Sequence, residues 1–215
     1  MRAACTRAGT LLIIDETHTF SAGPGGCTAA WGLEPDAVTI GKSIGGGVPI
    51  GAYGVSAALA ARVAAEEDAD YEDTGGVGGT LAGNALSLAA MRTTLTEVLT
   101  EEAFGRMLPL GDRWADGVDA GISAYGLPWN CNRLGARAEY TFTPTAPRTG
   151  AEAHDAGDFA LEQLLHLYAL NRGILLTPFH NMALMSPATT EADVDRHTEV
   201  FGDLLALLVG PGTPN

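Results

Sequence analysis

The stretches LLIIDE (residues 11–16) and AVTIGK (residues 37–42) decide the fold that the sequence predicts. Each is a short, continuous apolar run that leads directly to charged side chains. Such runs are typical of strands buried on both faces of a parallel sheet. In open α/β sheets, ligands bind beyond the carboxyl ends of the strands. We therefore expect an α/β fold in which Asp15 and Lys42 both lie near such strand ends.

Lys42 is the single lysine among the 12 Lys and Arg side chains of the chain. Arginine keeps its proton and binds carboxylates through two parallel hydrogen bonds. A single lysine among arginines therefore adds little to the electrostatics of the chain. A desolvated lysine, unlike arginine, can lose its proton near neutral pH and attack a carbonyl carbon. This favours amine chemistry at Lys42, most simply a Schiff base. The alternative is an arginine-rich composition with one surface lysine left over.

Composition excludes several classes of function. The chain of 215 residues has 26 acidic and 12 basic side chains, a net charge of −14 and a pI near 4.5. An acidic surface of this kind argues against nucleic acid and anionic membranes as partners. The 3 cysteines are far apart and in no CxxC pattern, which favours free thiols in a reducing compartment over a disulfide frame or a metal site. Residues 1–7 lack the apolar core of a signal peptide, and no apolar run approaches the ~20 residues of a membrane span. We expect a cytoplasmic protein.

The order of elements suggests two domains, 1–106 and 107–215. In the first, a third strand at 52–55 precedes an Ala-rich helix from about Ser56 to Glu67, and the acidic stretch 66–73 is predicted to be a solvated loop. The second is predicted to mix helices with short strands. The remaining helices are predicted at 84–103, 104–125, 155–172 and from about 190 to 209, and the remaining strands at 138–142, 174–177 and 182–185.

Residues 36–43 contain a misleading motif. Gly41-Lys42-Ser43 follows a predicted strand and matches the end of a Walker A loop. That loop requires a glycine eight positions before its last residue, counted inclusively, and Asp36 stands there instead. The glycines of this segment follow the lysine rather than precede it. A P-loop NTPase therefore fits poorly.

Three separate features fit pyridoxal 5′-phosphate (PLP) better. The carboxylate of Asp15 suits a protonated ring nitrogen, and Lys42 suits an imine with an aldehyde. Gly78, Gly79 and Thr80 stand just before a predicted helix, where backbone N–H groups and the helix dipole favour a phosphate. Once freed from the cofactor, Lys42 can move the α-proton of an amino acid as a general acid and base. As alternatives, Asp15 and Glu16 could be ordinary acids at a strand exit, and residues 75–79 a flexible loop.

Four segments together resemble class III aminotransferases of PLP fold type I, and most of all the glutamate-1-semialdehyde aminomutase branch. They are IIDETHTF (13–20), WGLEPD (31–36), GKSIGGGVPIGA (41–52) and GTLAGN (79–84). The resemblance implies that Lys42 is the Schiff-base lysine and that Asp15 pairs with the ring nitrogen. It also implies that Thr17 replaces the usual Val on the ring face and that His18 lies beside the ring or its 3-hydroxyl. Gly79 and Thr80 would reach the phosphate of the neighbouring subunit in a homodimer with shared active sites.

The resemblance covers only about the second half of the family's chain. It implies part of the large PLP-binding domain, with a mostly parallel sheet and helices, followed by a smaller C-terminal α+β domain. The substrates would be an amino acid or amine and a keto acid, and the chain alone is expected to have little activity. Intramolecular transfer of the aminomutase type is one alternative, although Ser21 stands where this family often has Arg, which argues against a literal aminomutase. A non-catalytic remnant acting as a binding or assembly piece is another.

The group that would bind the substrate carboxylate is not evident from the sequence. Arg133 and Arg137 are candidates by position alone. His180 is a candidate for the lining of the substrate pocket, whereas His154, His166 and His197 are expected to be structural or exposed.

Overall fold

The computed structural model describes residues 1–65, 78–177 and 180–210. The chain divides into two compact units, Met1–Glu101 and Glu102–Asn215. The expected domain boundary near residue 106 falls five residues after this division. The expected acidic loop at 66–73 and most of the glycine-rich segment 75–79 lie outside the described residues.

A three-stranded sheet organises the first unit. Its order is β1-β2-β3, with β1 parallel to β2 and β2 antiparallel to β3. The three predicted strands form and the α/β class is confirmed, but the burial expected on both faces is not seen, since Ile13 of the first strand is 60% exposed. The elements of this unit are α1 (Arg2–Ala8), β1 (Ile13–Asp15), α2 (Gly26–Ala30), β2 (Ala37–Gly41), β3 (Gly51–Val55), α3 (Ala57–Ala64) and α4 (Ala85–Thr93).

Glu16 fixes the loop that follows β1. Its side chain is only 1% exposed, and its carboxylate accepts hydrogen bonds from the Thr19 hydroxyl, from the N–H and hydroxyl of Thr28, and from the N–H of Cys27 at 3.1 Å. Burial by itself raises the pKa of Glu16, but these hydrogen bonds outweigh it and lower the pKa. The ionised carboxylate therefore ties the segment after β1 to the start of α2.

The second unit combines helices with an antiparallel sheet of order β4-β5-β6. Its core contains the rings of Trp114, Tyr140, His197 and Phe201, with centroids 4.9 Å apart for Trp114–His197 and 5.2 Å apart for Tyr140–Phe201. The elements are α5 (Glu101–Ala124), β4 (Asn130–Leu134), β5 (Arg137–Thr141), α6 (Gly150–Asp155), α7 (Phe159–Leu170), β6 (Met182–Leu184) and α8 (Glu191–Val209).

Three helix predictions are corrected or refined by local hydrogen bonding. The helix expected at 155–172 is shorter and runs from Phe159 to Leu170, because Asp158 caps its start by accepting the N–H of Leu161 at 3.0 Å. The helix expected at 84–103 ends at Thr93 and passes into a π-helical turn, Thr94–Val98, where the Thr94 hydroxyl donates to the Ala90 carbonyl at 2.8 Å. The capping box predicted for the last helix, Thr190 with Asp193, is confirmed.

Two strand predictions fail in opposite ways. Residues 174–177 are irregular rather than a strand, and Thr177 makes one backbone hydrogen bond to Met182, at 3.3 Å. Strand β4 was not predicted, because its polar sequence NCNRL lacks the apolar alternation of a half-buried strand. It forms because it pairs along its length with β5.

Candidate active site

Asp15 and Lys42 lie at the same edge of the first sheet. Asp15 is the last residue of β1 and pairs in register with Thr39 of the parallel strand β2. Lys42 directly follows Gly41, the last residue of β2, and begins a 3₁₀ turn, Lys42–Gly45. Because parallel strands end on the same side of a sheet, the predicted convergence of these side chains follows from the pairing.

Lys42 has a strained backbone. Its φ is +51°, and no other non-glycine residue in the described part of the chain has a positive φ. This left-handed conformation is uncommon for residues with a Cβ, and it persists only where the surroundings enforce it. The loop after Lys42 is held by α4, since the Ser87 hydroxyl donates to the Pro49 carbonyl at 3.0 Å. A Cβ on Gly46 would come within 2.8 Å of the Thr94 hydroxyl, so the packing there is close.

His18 contacts the amine of Lys42. Its Nε2 lies 3.1 Å from Lys42 Nζ, within the range of a hydrogen bond. The carbonyl of His18 accepts the hydroxyl of Ser21 at 3.1 Å, and the neighbouring Thr19 is held by Glu16. The imidazole therefore belongs to a loop that is anchored on the buried Glu16 carboxylate.

The Asp15 carboxylate is held in its ionised form. The Thr17 hydroxyl and the Thr17 N–H, which donates to Asp15 Oδ1 at 2.8 Å, are the main causes of a lowered pKa. Burial opposes these two hydrogen bonds with a smaller effect, and the Thr39 hydroxyl and the charge of Lys42 lower the pKa a little further. Thr39 was not predicted as a site residue. The parallel register that brings its side chain to Asp15 is the signal that could have identified it.

Gly79 and Thr80 form a separate group. Both are exposed in the turn before α4, where the Ala82 N–H donates to the Gly79 carbonyl at 2.8 Å. Within residues 1–65 and 78–177, no hydrogen bond joins either of them to Asp15, Thr17, His18 or Lys42. The structure thus brings together four of the six predicted site residues.

The candidate carboxylate binders are already paired with acids. Arg133 contacts Asp116 and Asp119, each at 2.7 Å. Arg137 lies 3.7 Å from Glu139, which also contacts His180 Nδ1 at 3.2 Å. These ion pairs give Arg133 and Arg137 structural partners within the second unit.

Comparison with known proteins identifies the family. Residues 1–205 match the family model for aminotransferase class III. The chain belongs to the class III aminotransferase family. The predicted resemblance and the PLP type I fold are therefore confirmed.

The similar proteins include enzymes named as aminomutases and as aminotransferases. The chain is 35% identical over 202 residues to glutamate-1-semialdehyde 2,1-aminomutase 2 of Brevibacillus brevis, covering 93% of this chain and 45% of that protein. The crystal structure of a glutamate-1-semialdehyde aminomutase from Pseudomonas aeruginosa PAO1 has a TM-score of 0.90 and 48% identity, covering 96% of this chain and 47% of that one. A β-phenylalanine aminotransferase from Variovorax paradoxus has a TM-score of 0.81 and 29% identity, covering 95% of this chain and 46% of that one. The chain thus spans a little under half the length of these relatives.

Among the residues that the structure describes, none of the helices combines the length and the apolar character needed to cross a bilayer.

Proposed function

We propose that this chain carries the cofactor-binding part of a PLP-dependent aminotransferase, which moves an amino group between an amino acid or amine and a keto acid. One observation carries the proposal. The amine of Lys42 lies 3.1 Å from His18, at the same sheet edge as the Asp15 carboxylate. An amine that can attack a carbonyl and a carboxylate that stays ionised are the two groups that PLP enzymes need.

The residues present fit the cofactor. Asp15 accepts the Thr17 N–H through Oδ1, and an ionised carboxylate has further acceptor sites for a protonated ring nitrogen. Its lowered pKa keeps it charged at neutral pH. Lys42 would bind the cofactor covalently. His18 would lie beside the ring, and Thr17 would contact the ring face while its hydroxyl orients Asp15.

When bound, PLP supplies an aldehyde that combines with amino groups and a ring that accepts electrons. The residues of the chain supply the rest. Asp15 holds a proton on the ring nitrogen, which makes the ring a better electron acceptor. Lys42 Nζ, once uncharged, takes the proton from the substrate carbon that bears the amino group and later returns it.

The proposed assembly is a cytoplasmic homodimer with composite sites. Gly79 and Thr80 are exposed in their turn, which is compatible with contact to the cofactor phosphate of a neighbouring subunit. Because the chain spans under half of its relatives, we expect residues 1–215 alone to show little turnover even where they bind PLP.

Intramolecular amino transfer is a second candidate, favoured by the identity of 35–48% to proteins named glutamate-1-semialdehyde aminomutases. An external keto acid separates the two. A transaminase requires it as an acceptor, whereas an aminomutase turns over its substrate without it.

Cofactor binding tests the proposal directly. Purified chain is incubated with PLP, reduced with borohydride and mapped by peptide mass spectrometry. Because Lys42 is the single lysine, an adduct can form only there or at the Met1 α-amine. We expect the adduct mainly at Lys42, lost in Lys42→Ala and reduced in Asp15→Asn. Labelling of Lys42 no stronger than that of Met1 would favour the non-catalytic remnant instead. Strong Lys42-dependent turnover by residues 1–215 would contradict the expectation of little activity.

A further inference from the structure

The neighbouring carboxylates Asp15 and Glu16 stand at the end of β1 in opposite environments. Successive side chains of a strand point to opposite faces of its sheet. Asp15 is exposed, whereas Glu16 is only 1% exposed. The proposed function uses the exposed carboxylate and leaves the buried one without a role.

Both oxygens of the Glu16 carboxylate accept hydrogen bonds. Oε2 accepts the Thr19 hydroxyl and the Cys27 N–H, the latter at 3.1 Å. Oε1 accepts the N–H and the hydroxyl of Thr28, the latter at 2.5 Å. Because each oxygen faces a backbone N–H, which can only donate, each oxygen must act as an acceptor. The carboxylate therefore joins the turn that contains Thr19 to α2.

Gly26 makes room for this carboxylate. Its φ is +63°, and a Cβ there would lie 2.5 Å from Glu16 Oε2 and 2.7 Å from Glu16 Cδ. Glycine adopts this backbone conformation without strain and leaves that space free. A larger residue at the start of α2 would displace the carboxylate from its donors.

Residues 17–19 form a turn that is held between the two carboxylates. At one end, the Thr17 N–H donates to Asp15 Oδ1 at 2.8 Å. At the other end, the Thr19 hydroxyl donates to the Glu16 carboxylate. A turn that is fastened at both ends presents its side chains in a fixed arrangement, which is what a binding site needs from the residues that support it.

We propose that Glu16 is a positioning residue of the cofactor site. Its carboxylate holds residues 17–19, and this keeps the Thr17 donors on Asp15. Because Glu16 is buried, it acts through this turn and does not touch the cofactor. The inference rests on the proposed function, in which Asp15 pairs with the ring nitrogen, and it gives the contacts between Glu16 and α2 a part in cofactor binding.

Two variants disturb the contacts of Glu16 and keep its negative charge. Thr19→Val removes the hydroxyl that links the turn to the carboxylate, and Gly26→Ala places a Cβ against Oε2. A loosened turn withdraws the Thr17 donors from Asp15, so we expect the pKa of Asp15 to rise in both variants. NMR titration of the Asp15 carboxyl carbon measures this in the chain without cofactor.

Cofactor binding is measured on the same variants by reducing the PLP adduct with borohydride and mapping it by peptide mass spectrometry. The Met1 α-amine serves as an internal reference in each sample. We expect the ratio of adduct at Lys42 to adduct at Met1 to fall about tenfold, the factor that corresponds to loss of one hydrogen bond with a charged partner.

The matched control is Gly32→Ala. Gly32 has a φ of +57°, so alanine strains the backbone there as it does at Gly26, but its Cβ meets nothing within 4 Å. We expect the wild-type Asp15 pKa and adduct ratio in this control. Equal changes in Gly26→Ala and Gly32→Ala would overturn the inference, and so would wild-type values in Thr19→Val. If Gly26→Ala fails to fold by circular dichroism, Thr19→Val carries the test.

The outcome is distinguishable from failure of the proposed function. A raised Asp15 pKa in Thr19→Val, together with no PLP adduct at Lys42 of the wild-type chain, would support the positioning role of Glu16 and reject the function. A wild-type adduct at Lys42 that persists unchanged in Thr19→Val would do the reverse.

Discussion

Thr17 donates its backbone N–H to Oδ1 of Asp15 at 2.8 Å, and its hydroxyl is the largest cause of the lowered Asp15 pKa. The residue two positions after the carboxylate thus keeps that carboxylate charged.

Replacing Thr17 by Val should raise the pKa of Asp15 toward its ordinary value. The backbone N–H of residue 17 and the hydroxyl of Thr39 remain, so the pKa should stay below that value. The measurement is a titration of the Asp15 carboxyl carbon by NMR. Thr17→Ser keeps the hydroxyl and is the control, for which we expect the wild-type pKa. Equal values in Thr17→Val and Thr17→Ser would show that the hydroxyl has no such effect.

Lys42→Gly should be more stable than Lys42→Ala. Both variants remove the amine, but only glycine adopts a φ of +51° without strain from a Cβ. We expect the difference to be about 1 kcal/mol in the free energy of unfolding, measured with urea. Equal stability of the two variants would mean that the backbone at this position is not strained.

His197 should make stability depend on pH. It is 4% exposed in the core of the second unit, and burial lowers its pKa from 6.5 to about 4. Between these values the unfolded chain binds a proton that the folded chain does not. Stability is therefore fully present above pH 6.5 and is lost as pH falls toward 4, by about 3 kcal/mol at most.

Replacing His197 by Phe should remove this loss, because the new ring has no proton to bind among Trp114 and Phe201. The comparison is urea unfolding at pH 7.5 and pH 4.5 for wild type, His197→Phe and the exposed control His154→Gln. An equal loss of stability in wild type and His197→Phe would attribute the acid sensitivity to other groups, such as Glu16.

Replacing two glycines of α5 by alanine should change the stability of the protein in opposite directions. A Cβ at Gly111 would lie 2.7 Å from the carbonyl oxygen of Gly135, whereas a Cβ at Gly105 meets nothing within 4 Å. We expect Gly105→Ala to stabilise by up to about 1 kcal/mol through helix propensity. Gly111→Ala should destabilise by about 1–3 kcal/mol because backbone atoms must move. Thermal unfolding of both variants measures this, and stabilisation by Gly111→Ala would contradict the close approach.

Much of the first unit could be predicted because its signals are local. The apolar runs before Asp15 and Lys42 indicated strands, and the single lysine indicated its own chemistry. The polar strand β4 and the irregular residues 174–177 could not be predicted in this way. Strand formation there depends on the pairing partner rather than on the segment's own pattern.

By itself, the sequence determined the family and the order of the strands along the chain, and it proposed Lys42 as the reactive amine, because these reside in residue types and their spacing. Only the tertiary structure decided which groups act on that amine and on its carboxylate partner. His18 reaches Lys42, and Thr39 reaches Asp15, because two strands distant in sequence pair in parallel and end at one edge. Hydrogen bonds depend on distances of a few tenths of an ångström, which no spacing along the chain specifies.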